Sequence, residues 1–251
     1  ALLKNFSRSS AASESVRSGT FGALKSSCSR IWWQITPTSA PRARPRGPSV
    51  SSSGVEGDAN SGLDNFVFED PGLAISADGR YVAFMSRASN FLPGTPTGFT
   101  DVFVRDRVAA TTTLVSRAAG TTLGGNDDSG RFGIAMSADG RFIAFSSNAT
   151  SLVPGAYPVP GNVFVRDMVL GITTRVSVGT GGLATPTNLG WYRPAISADG
   201  RFVAFDGSNA LVNPFDLASI EVMLFDRLTL TAERMSSDAS GDQDLGNLAI
   251  R

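Results

Sequence analysis

The sequence predicts an all-β fold made of repeated four-stranded units, and three observations support this prediction. The segment A-I-S-A-D-G-R-Y-V-A-F at residues 74–84 returns with few changes at residues 135–145 and 195–205, at spacings of 61 and 60 residues. Each copy carries an Asp-Gly pair between two short apolar runs, which is a sequence signature of a β-hairpin. Each copy is also followed by two further strand-forming segments, so the repeat is longer than the hairpin alone.

Each unit is predicted to contain four short strands. The Asp78-Gly79 pair joins the first two, because this dipeptide favours the positive backbone angles of a tight hairpin turn. The β-branched, aromatic and small residues of the second strand suit a strand buried on both faces. Asp106 closes the third strand. In the first unit the four predicted strands are residues 73–76, 81–85, 102–105 and 112–115.

The other two units repeat these strands in the same order. D-V-F-V-R-D at residues 101–106 returns as N-V-F-V-R-D at 162–167 and as E-V-M-L-F-D at 221–226. Tandem units of four strands are the pattern of β-propeller blades, and no 3.6-residue apolar period favours a helical solenoid. We therefore predict a β-propeller region at residues 48–251 with partial blades at both ends and full blades at about residues 73–133, 134–193 and 194–245.

At this level of detail the units resemble the TolB-like, WD-repeat-like bacterial propeller family. Its blades carry a Ser-x-Asp-Gly turn, an apolar strand that ends in Ala-Phe, and a later strand that ends in Asp, and all three units match. They depart from the usual Trp-Ser-Pro opening, since Ile75, Met136 and Ile196 replace Trp and alanines replace Pro at positions 77, 138 and 198. The resemblance implies a propeller that binds a protein or other ligand at its rim or channel, in a periplasmic or secreted protein.

Both ends of the chain are expected to be incomplete blades. Residues 49–62 parallel residues 115–130 and are predicted to end an earlier blade, while residues 246–250 begin another. Most propellers have about four to eight blades. Three full blades fall short of that number, so we expect the chain to be part of a larger bacterial protein.

Residues 1–47 differ in kind from the repeats. They are rich in Ser, Arg and Pro and lack strand alternation, which indicates a disordered linker. The alternative is a frame error: one nucleotide earlier, the codons around Trp32 and Trp33 admit N-L-V-A-D, similar to S-L-V-P-G at residues 151–155. A frame error would hide an additional blade in this segment.

The composition argues against several function classes. Acidic and basic residues balance at 22 each, which gives no electrostatic reason to expect nucleic acid as a partner. No apolar run reaches the roughly 18 residues of a membrane span. Histidine is absent and Cys28 is the only cysteine, which removes the Ser-His-Asp and Cys-His arrangements and cysteine-rich zinc sites. We expect no enzyme activity, no cofactor and no catalytic, cofactor-binding or metal-ligating residue.

Loops rich in Asp and Asn are the best candidate sites. Clustered carboxylates with Asn and Gly can bind calcium, but their spacing varies between copies, and turn-forming chemistry is the favoured interpretation. These residues are Asp58, Asn60, Asn126, Asp127, Asp128, Asp238, Asp242 and Asp244.

Other recurring residues have structural interpretations. Turn geometry explains Asp78, Asp139 and Asp199, and bonds to the following turn are expected of Asp106, Asp167 and Asp226. A basic rim for an acidic partner is the alternative to solvated strand-edge charge for Arg80, Arg141 and Arg201. We expect core packing of Phe84, Phe145 and Phe205, and no phosphate loop at Gly124-Gly125 or residues 179–182. Trp191 and Tyr192 could contact a ligand or pack between blades.

These observations favour a non-catalytic binding or scaffold module. One alternative is an accessory propeller that gates or positions a hydrolase-type catalytic domain outside this chain. Another is a calcium-stabilised surface adhesin. A fused hydrolase domain in the full-length gene would favour the first alternative, and metal-dependent stability would favour the second.

Overall fold

The computed structural model describes residues 49–62, 72–92, 98–155, 161–178, 193–208 and 220–236, and contains twelve strands and no helix within them. The predictions for residues 1–47 and 246–250 lie outside the described residues. The strands are β1 (Leu73–Ile75), β2 (Tyr81–Ser86), β3 (Asp101–Asp106), β4 (Thr111–Leu114), β5 (Ser129–Met136), β6 (Phe142–Ser147), β7 (Asn162–Asp167), β8 (Ile172–Arg175), β9 (Ala195–Ile196), β10 (Phe202–Ser208), β11 (Ile220–Asp226) and β12 (Thr231–Arg234).

The twelve strands form three antiparallel sheets of four, and each sheet comes from one sequence repeat. Strands β1 to β4 form blade 1, β5 to β8 form blade 2 and β9 to β12 form blade 3, each in sequential order. The pairs β1–β2, β5–β6 and β9–β10 are antiparallel hairpins around the Asp-Gly pairs, as predicted. The predicted all-β propeller fold with three four-stranded blades is confirmed.

Strand β5 is longer than the repeat predicted. It begins at Ser129, inside the segment that the sequence assigned to the end of blade 1. Its register against β6 shifts between Ser129 and Ile134, where Gly130 and Gly133 have φ values of 86° and 123°. Glycine permits these positive angles, so β5 continues through an irregularity and reaches Ser147 at the far end of β6.

The hairpin turn differs in one detail from the predicted geometry. Gly79 has a φ of 70°, but Asp78 does not adopt a positive φ. The Gly79 amide donates to the Ser76 carbonyl at 2.9 Å, so the turn resembles type I followed by a left-handed glycine. The Asp78 carboxylate accepts hydrogen bonds from the Ser76 hydroxyl and the Arg80 amide. These bonds close the turn around Asp78, and only the glycine takes the positive angle.

Blades pack by placing aromatic residues on small ones. The face of blade 2 that carries Phe145 and Phe164 packs on Ala83 and Val102 of blade 1. The opposite face of blade 2 carries smaller residues, and these pack on Phe205 of blade 3: Ala144, Val163 and Val165. Phe84, Phe145 and Phe205 are all buried, as the core prediction required. In blade 1 the equivalent aromatic face is a buried cluster with Phe84, Phe91 and Phe103.

The hairpins of successive blades also touch directly. The Ala77 amide donates to the Ala138 carbonyl at 2.9 Å, and the Ala138 amide donates to the Ala198 carbonyl at 2.9 Å. Beside these bonds the Tyr81 ring lies against Gly140, where an added Cβ would be 2.4 Å from the ring. Phe142 lies on Gly200 in the same way, at 2.1 Å. In each case the hairpin glycine of one blade leaves room for an aromatic ring of the blade before it.

Residues 49–62 contact blade 1 in the same way that the end of blade 1 contacts blade 2. Arg87, just after β2, donates its amide to the Asn60 carbonyl at 3.1 Å. Asn148, just after β6, donates its amide to the Asp128 carbonyl at 2.9 Å. This equivalence supports the prediction that residues 49–62 end an earlier blade.

Alanine at Gly140 should destabilise the chain more than alanine at Gly79. Both glycines have left-handed angles, with φ of 75° and 70°, so both variants should lose about 1–2 kcal/mol for an L-residue in that region. Gly140→Ala should lose about 1–3 kcal/mol more because its Cβ overlaps Tyr81, whereas the nearest atom at Gly79 is 3.7 Å away. Urea unfolding of both variants measures the difference. Equal losses would show that the Tyr81–Gly140 contact is not tight.

Candidate functional site

The Asp-Gly hairpins are held by the same side-chain bonds in each blade. In blade 1 the Ser76 hydroxyl donates to Asp78 Oδ1 at 2.6 Å and accepts from the Tyr81 amide at 2.9 Å. Asp78 Oδ1 also accepts from the Arg80 amide at 2.9 Å. The Ser76 hydroxyl is the main reason that the pKa of Asp78 is lowered. The same bonds join Ser137 to Asp139 and Ser197 to Asp199.

A bidentate ion pair links each hairpin to the end of the third strand. Arg80 Nη2 lies 2.7 Å and Nε 3.1 Å from the Asp106 carboxylate, and the Arg80 guanidinium lies 4.8 Å from the centre of the Tyr81 ring. The Arg80 hydrogen bond lowers the pKa of Asp106 to about 2. Equivalent pairs join Arg141 to Asp167 and Arg201 to Asp226.

Each of these aspartates also orders the turn that follows it. Asp106 Oδ1 accepts hydrogen bonds from the amides of Val108 and Ala109 at 2.9 and 3.0 Å. Asp167 does the same for Val169 and Leu170. The bonds that the sequence predicted from these aspartates to the following turn are present. The three arginines do not form a free basic rim, because each is paired with a carboxylate.

The ordered turns expose apolar side chains. In an antiparallel four-stranded sheet of sequential order, the connection between the first two strands and the connection between the last two lie at the same end of the sheet. We call the surface formed by this end of the three sheets the hairpin face. Val108, Val169 and Leu228 occupy the same position in the three turns, and they are 76%, 73% and 75% exposed. We call these three residues the turn tips. Leu170 and Leu230 are exposed beside them.

The turn tips were not among the sequence candidates, although a signal existed. In each repeat an apolar residue follows the strand-ending aspartate by two positions, as D-R-V, D-M-V and D-R-L. Apolar residues next to a strand suggest continued burial. Here Asp106, Asp167 and Asp226 turn the chain, so the apolar residue points outward instead.

The Asp- and Asn-rich loops lie at the opposite end of the sheets and are used in contacts with the next blade. Asp58 accepts hydrogen bonds from the Ser89 amide and hydroxyl at 2.7 and 2.6 Å. Asn126 Oδ1 accepts from the Thr150 amide at 2.8 Å. These bonds agree with turn and loop chemistry. Among the described residues no group of three or more His, Cys, Asp or Glu is placed to hold a metal ion.

The remaining candidates in these loops also have protein partners. Asp128 Oδ1 accepts from the Thr100 amide at 2.7 Å, and its other oxygen pairs with Arg131 at 2.9 Å. Asp127 accepts from the Asp128 amide, and the Asn60 carbonyl accepts from the Ser86 hydroxyl. Asp238, Asp242 and Asp244, with Trp191 and Tyr192, lie outside the described residues.

The glycine pair at 124–125 serves close packing. A Cβ added to Gly124 would lie 2.3 Å from Asp101 Oδ2, and one added to Gly125 would lie 2.7 Å from the Ala149 Cβ. Asp101 in turn accepts a hydrogen bond from the buried Ser116 hydroxyl at 2.7 Å. No helix begins at this pair, in agreement with the expectation that it is not a phosphate loop. Residues 179–182 lie outside the described part of the chain.

No protein-family model matches the chain, and no curated protein sequence matches it. Solved structures with a similar fold include a putative TolB from Agrobacterium tumefaciens, with 15% identity, a TM-score of 0.41, and coverage of 79% of this chain and 64% of that one. They also include the oligogalacturonate lyase of Vibrio parahaemolyticus (11% identity, TM-score 0.41, 70% and 41% coverage) and a nidogen/laminin complex (11%, 0.38, 67% and 48%). The chain spans less than two thirds of the length of each of these three. The described residues contain no helix that is long and apolar enough to cross a membrane.

Removing the charge of Asp106 should change how stability depends on pH. The pKa of Asp106 is about 2 in the folded chain and about 3.9 when unfolded. Its contribution is therefore complete above a pH of about 4 and is lost as the pH falls toward about 2. We expect Asp106→Asn to lower stability at neutral pH by roughly 1 kcal/mol or less, because the arginine is partly exposed.

The gap between wild type and Asp106→Asn should shrink over that acid range in urea unfolding at stepped pH. Glu233→Gln, at an exposed position of β12 outside the three pairs, is the control and should show no such change. A gap for Asp106→Asn that stays constant from neutral pH to a pH of about 2 would contradict the role given to this ion pair.

Proposed function

We propose that this chain is a non-catalytic binding or scaffold module whose protein partner docks on the hairpin face. The observation that carries the proposal is the repetition of a strongly exposed valine or leucine at the same turn of each blade. Each turn is fixed by hydrogen bonds from an aspartate. Exposed apolar side chains on a rigid frame are suited to contact a partner, because little conformational entropy is lost when they are buried.

The charges of this face favour an apolar partner surface over an acidic one. Arg80, Arg141 and Arg201 are held in bidentate pairs with aspartates. A polyanion such as nucleic acid would have to compete with those carboxylates. The net charge of zero gives no long-range attraction for such a partner.

The carboxylates of the hairpin face suit a structural role better than catalysis. The pKa values of Asp78, Asp139 and Asp199 are lowered, mainly by the neighbouring serine hydroxyls. Those of Asp106, Asp167 and Asp226 are lowered mainly by arginine hydrogen bonds. A general acid near neutral pH needs the opposite shift.

The two alternative functions gain different support from these contacts. Turn tips could also dock onto a catalytic domain outside this chain, so an accessory role in a hydrolase-type protein uses the same face. The calcium-stabilised adhesin gains less, because Asp58, Asn126 and Asp128 already accept hydrogen bonds from the protein. We place the protein in the periplasm or outside the cell, on the basis of the sequence resemblance to TolB-like repeats.

Substitution of the turn tips tests the docking face. The triple variant V108S/V169S/L228S should keep the wild-type melting temperature, since all three side chains are exposed, and should lose partners retained by the wild-type chain from an extract of the source cells. The matched control is V55S/F99S/L123S, which replaces three exposed apolar residues in the loops at the opposite end of the sheets. Quantitative mass spectrometry of the retained proteins measures the difference. Equal retention by both triple variants would argue against the hairpin face.

Activity measurements test the non-catalytic part of the proposal. The purified chain should show no turnover of chromogenic ester, peptide, glycoside or phosphate substrates. Turnover that disappears on substitution of Asp139 or Asp199, while folding is retained, would overturn it.

A further inference from the structure

The outer seam between successive blades contains one pair of positions that varies between the seams. One position lies on the third strand and faces the preceding blade, and it is occupied by Arg105, Arg166 and Phe225 in turn. The other lies just after the fourth strand of the preceding blade. There the sequences P-S-V, V-S-R and V-S-V place Val50, Arg117 and Val178. The backbone bridges Val50–Glu56 and Arg117–Gly124 show that the first two positions are equivalent.

At two of the three seams both positions are satisfied by their surroundings. At the first seam Arg105 Nη1 donates to the Ser51 carbonyl at 2.9 Å and to Thr112 Oγ1 at 3.1 Å, and the Ser52 hydroxyl accepts from the Thr112 amide. At the third seam Phe225 and Val178 belong to one apolar cluster between blades 2 and 3. At the first seam the Arg105 guanidinium is hydrogen-bonded and Val50 is buried, and at the third seam the apolar pair is packed.

The seam between blades 1 and 2 is different, because it brings two arginines together. Arg166 Nη1 donates to Thr173 Oγ1 at 3.0 Å, as Arg105 does to Thr112. The Val50 carbonyl accepts a hydrogen bond from the Thr112 hydroxyl at the first seam, so the equivalent residue Arg117 belongs beside Thr173. Arg117 has a solvent-exposed hydrogen-bond partner, since its Nη2 donates to the Thr121 carbonyl at 2.9 Å.

Arg166 is buried, and not all of its hydrogen-bond donors have a partner. Its side chain belongs to a residue only 9% exposed, and its buried Nε has no hydrogen-bond partner. The pKa of Arg166 is lowered, first by burial and then by the charge of Arg117. Asp167 is adjacent in sequence, but its carboxylate pairs with Arg141 and the following turn. A buried guanidinium with an unused donor is costly unless an anion or acceptor completes it.

We propose that the seam between blades 1 and 2 binds a small oxyanion of the carboxylate, sulfate or phosphate type, held by Arg117 and Arg166. Guanidinium groups bind such anions through paired, charge-assisted hydrogen bonds, and the Nε of Arg166 supplies an unused donor. Arg117 is partly exposed and forms the solvent side of the site. The site explains why two like charges occupy positions that hold at most one charge at the other seams.

The repeat itself supplies the variants that test the site. Arg117→Val with Arg166→Phe copies the seam between blades 2 and 3, and Arg117→Ser removes one of the two guanidinium groups. Arg193→Ser removes an exposed arginine elsewhere and is the control. The full 251-residue chain is melted in sodium sulfate, phosphate, acetate and chloride at equal ionic strength, and sulfate and phosphate binding are measured by calorimetry.

Wild type and Arg193→Ser should bind at least one of the three oxyanions with one site, and their melting temperature should rise by about 3–6 °C over chloride at ten times the Kd. The double variant should show no binding and no such rise. Arg117→Ser should bind at least ten-fold more weakly, and it decides the matter if the double variant does not fold. A response to acetate alone identifies a carboxylate site, and a response to sulfate or phosphate identifies a tetrahedral oxyanion site. Equal responses in wild type and Arg117→Ser, or no difference between oxyanions and chloride in wild type, would overturn the proposal.

Discussion

The ion pair between the hairpin arginine and the strand-ending aspartate organises each blade. Arg80 belongs to the β1–β2 hairpin, and Asp106 stands where β3 ends, so their contact joins two connections that are 26 residues apart. The same carboxylate accepts the amides of the next turn, and the guanidinium lies over the Tyr81 ring. That ring in turn lies on Gly140 of the following blade. A partly exposed ion pair contributes modestly to stability. This one nevertheless holds together the β1–β2 hairpin, the end of β3, the turn that follows it and the Tyr81 ring.

The two ends of the sheets use polar residues in different ways. On the hairpin face, the arginines of the three hairpins pair with aspartates of their own blades, and the turn tips are strongly exposed apolar side chains. At the opposite end, Asp58 and Asn126 reach to the next blade and accept hydrogen bonds from its backbone, and Asp128 accepts a hydrogen bond from the Thr100 amide of blade 1. The described residues of the acidic loops, which look more like a binding site in the sequence, bond to other protein groups, and the inconspicuous valines and leucines of the turns are exposed.

The strands and hairpins could be predicted from the sequence because they depend on local patterns. The short apolar runs on either side of Asp-Gly predict both the strands and the position of the turn, and three copies of the pattern remove the ambiguity of a single one. The partner of Asp58 is Ser89, 31 residues away, and no local pattern indicates it. The mismatch of Arg117 and Arg166 was equally hidden, because it appears only when the facing positions of two blades are known. The long β5 depends on Gly130 and Gly133, whose positive angles let the chain extend the strand where a loop was expected.

The hydrogen bonds between hairpins run in one direction only. Ala77 gives its amide to Ala138, and Ala138 gives its amide to Ala198, so each blade presents a donor to the blade after it and an acceptor to the blade before it. Such a contact is directional, like the head-to-tail contacts between subunits of a filament. It does not pair a blade with a reversed copy of itself. A duplicated repeat inserted in the gene would meet compatible hydrogen-bonding groups on both sides without further mutation. This gives a physical route by which propellers of this type gain blades through unequal recombination.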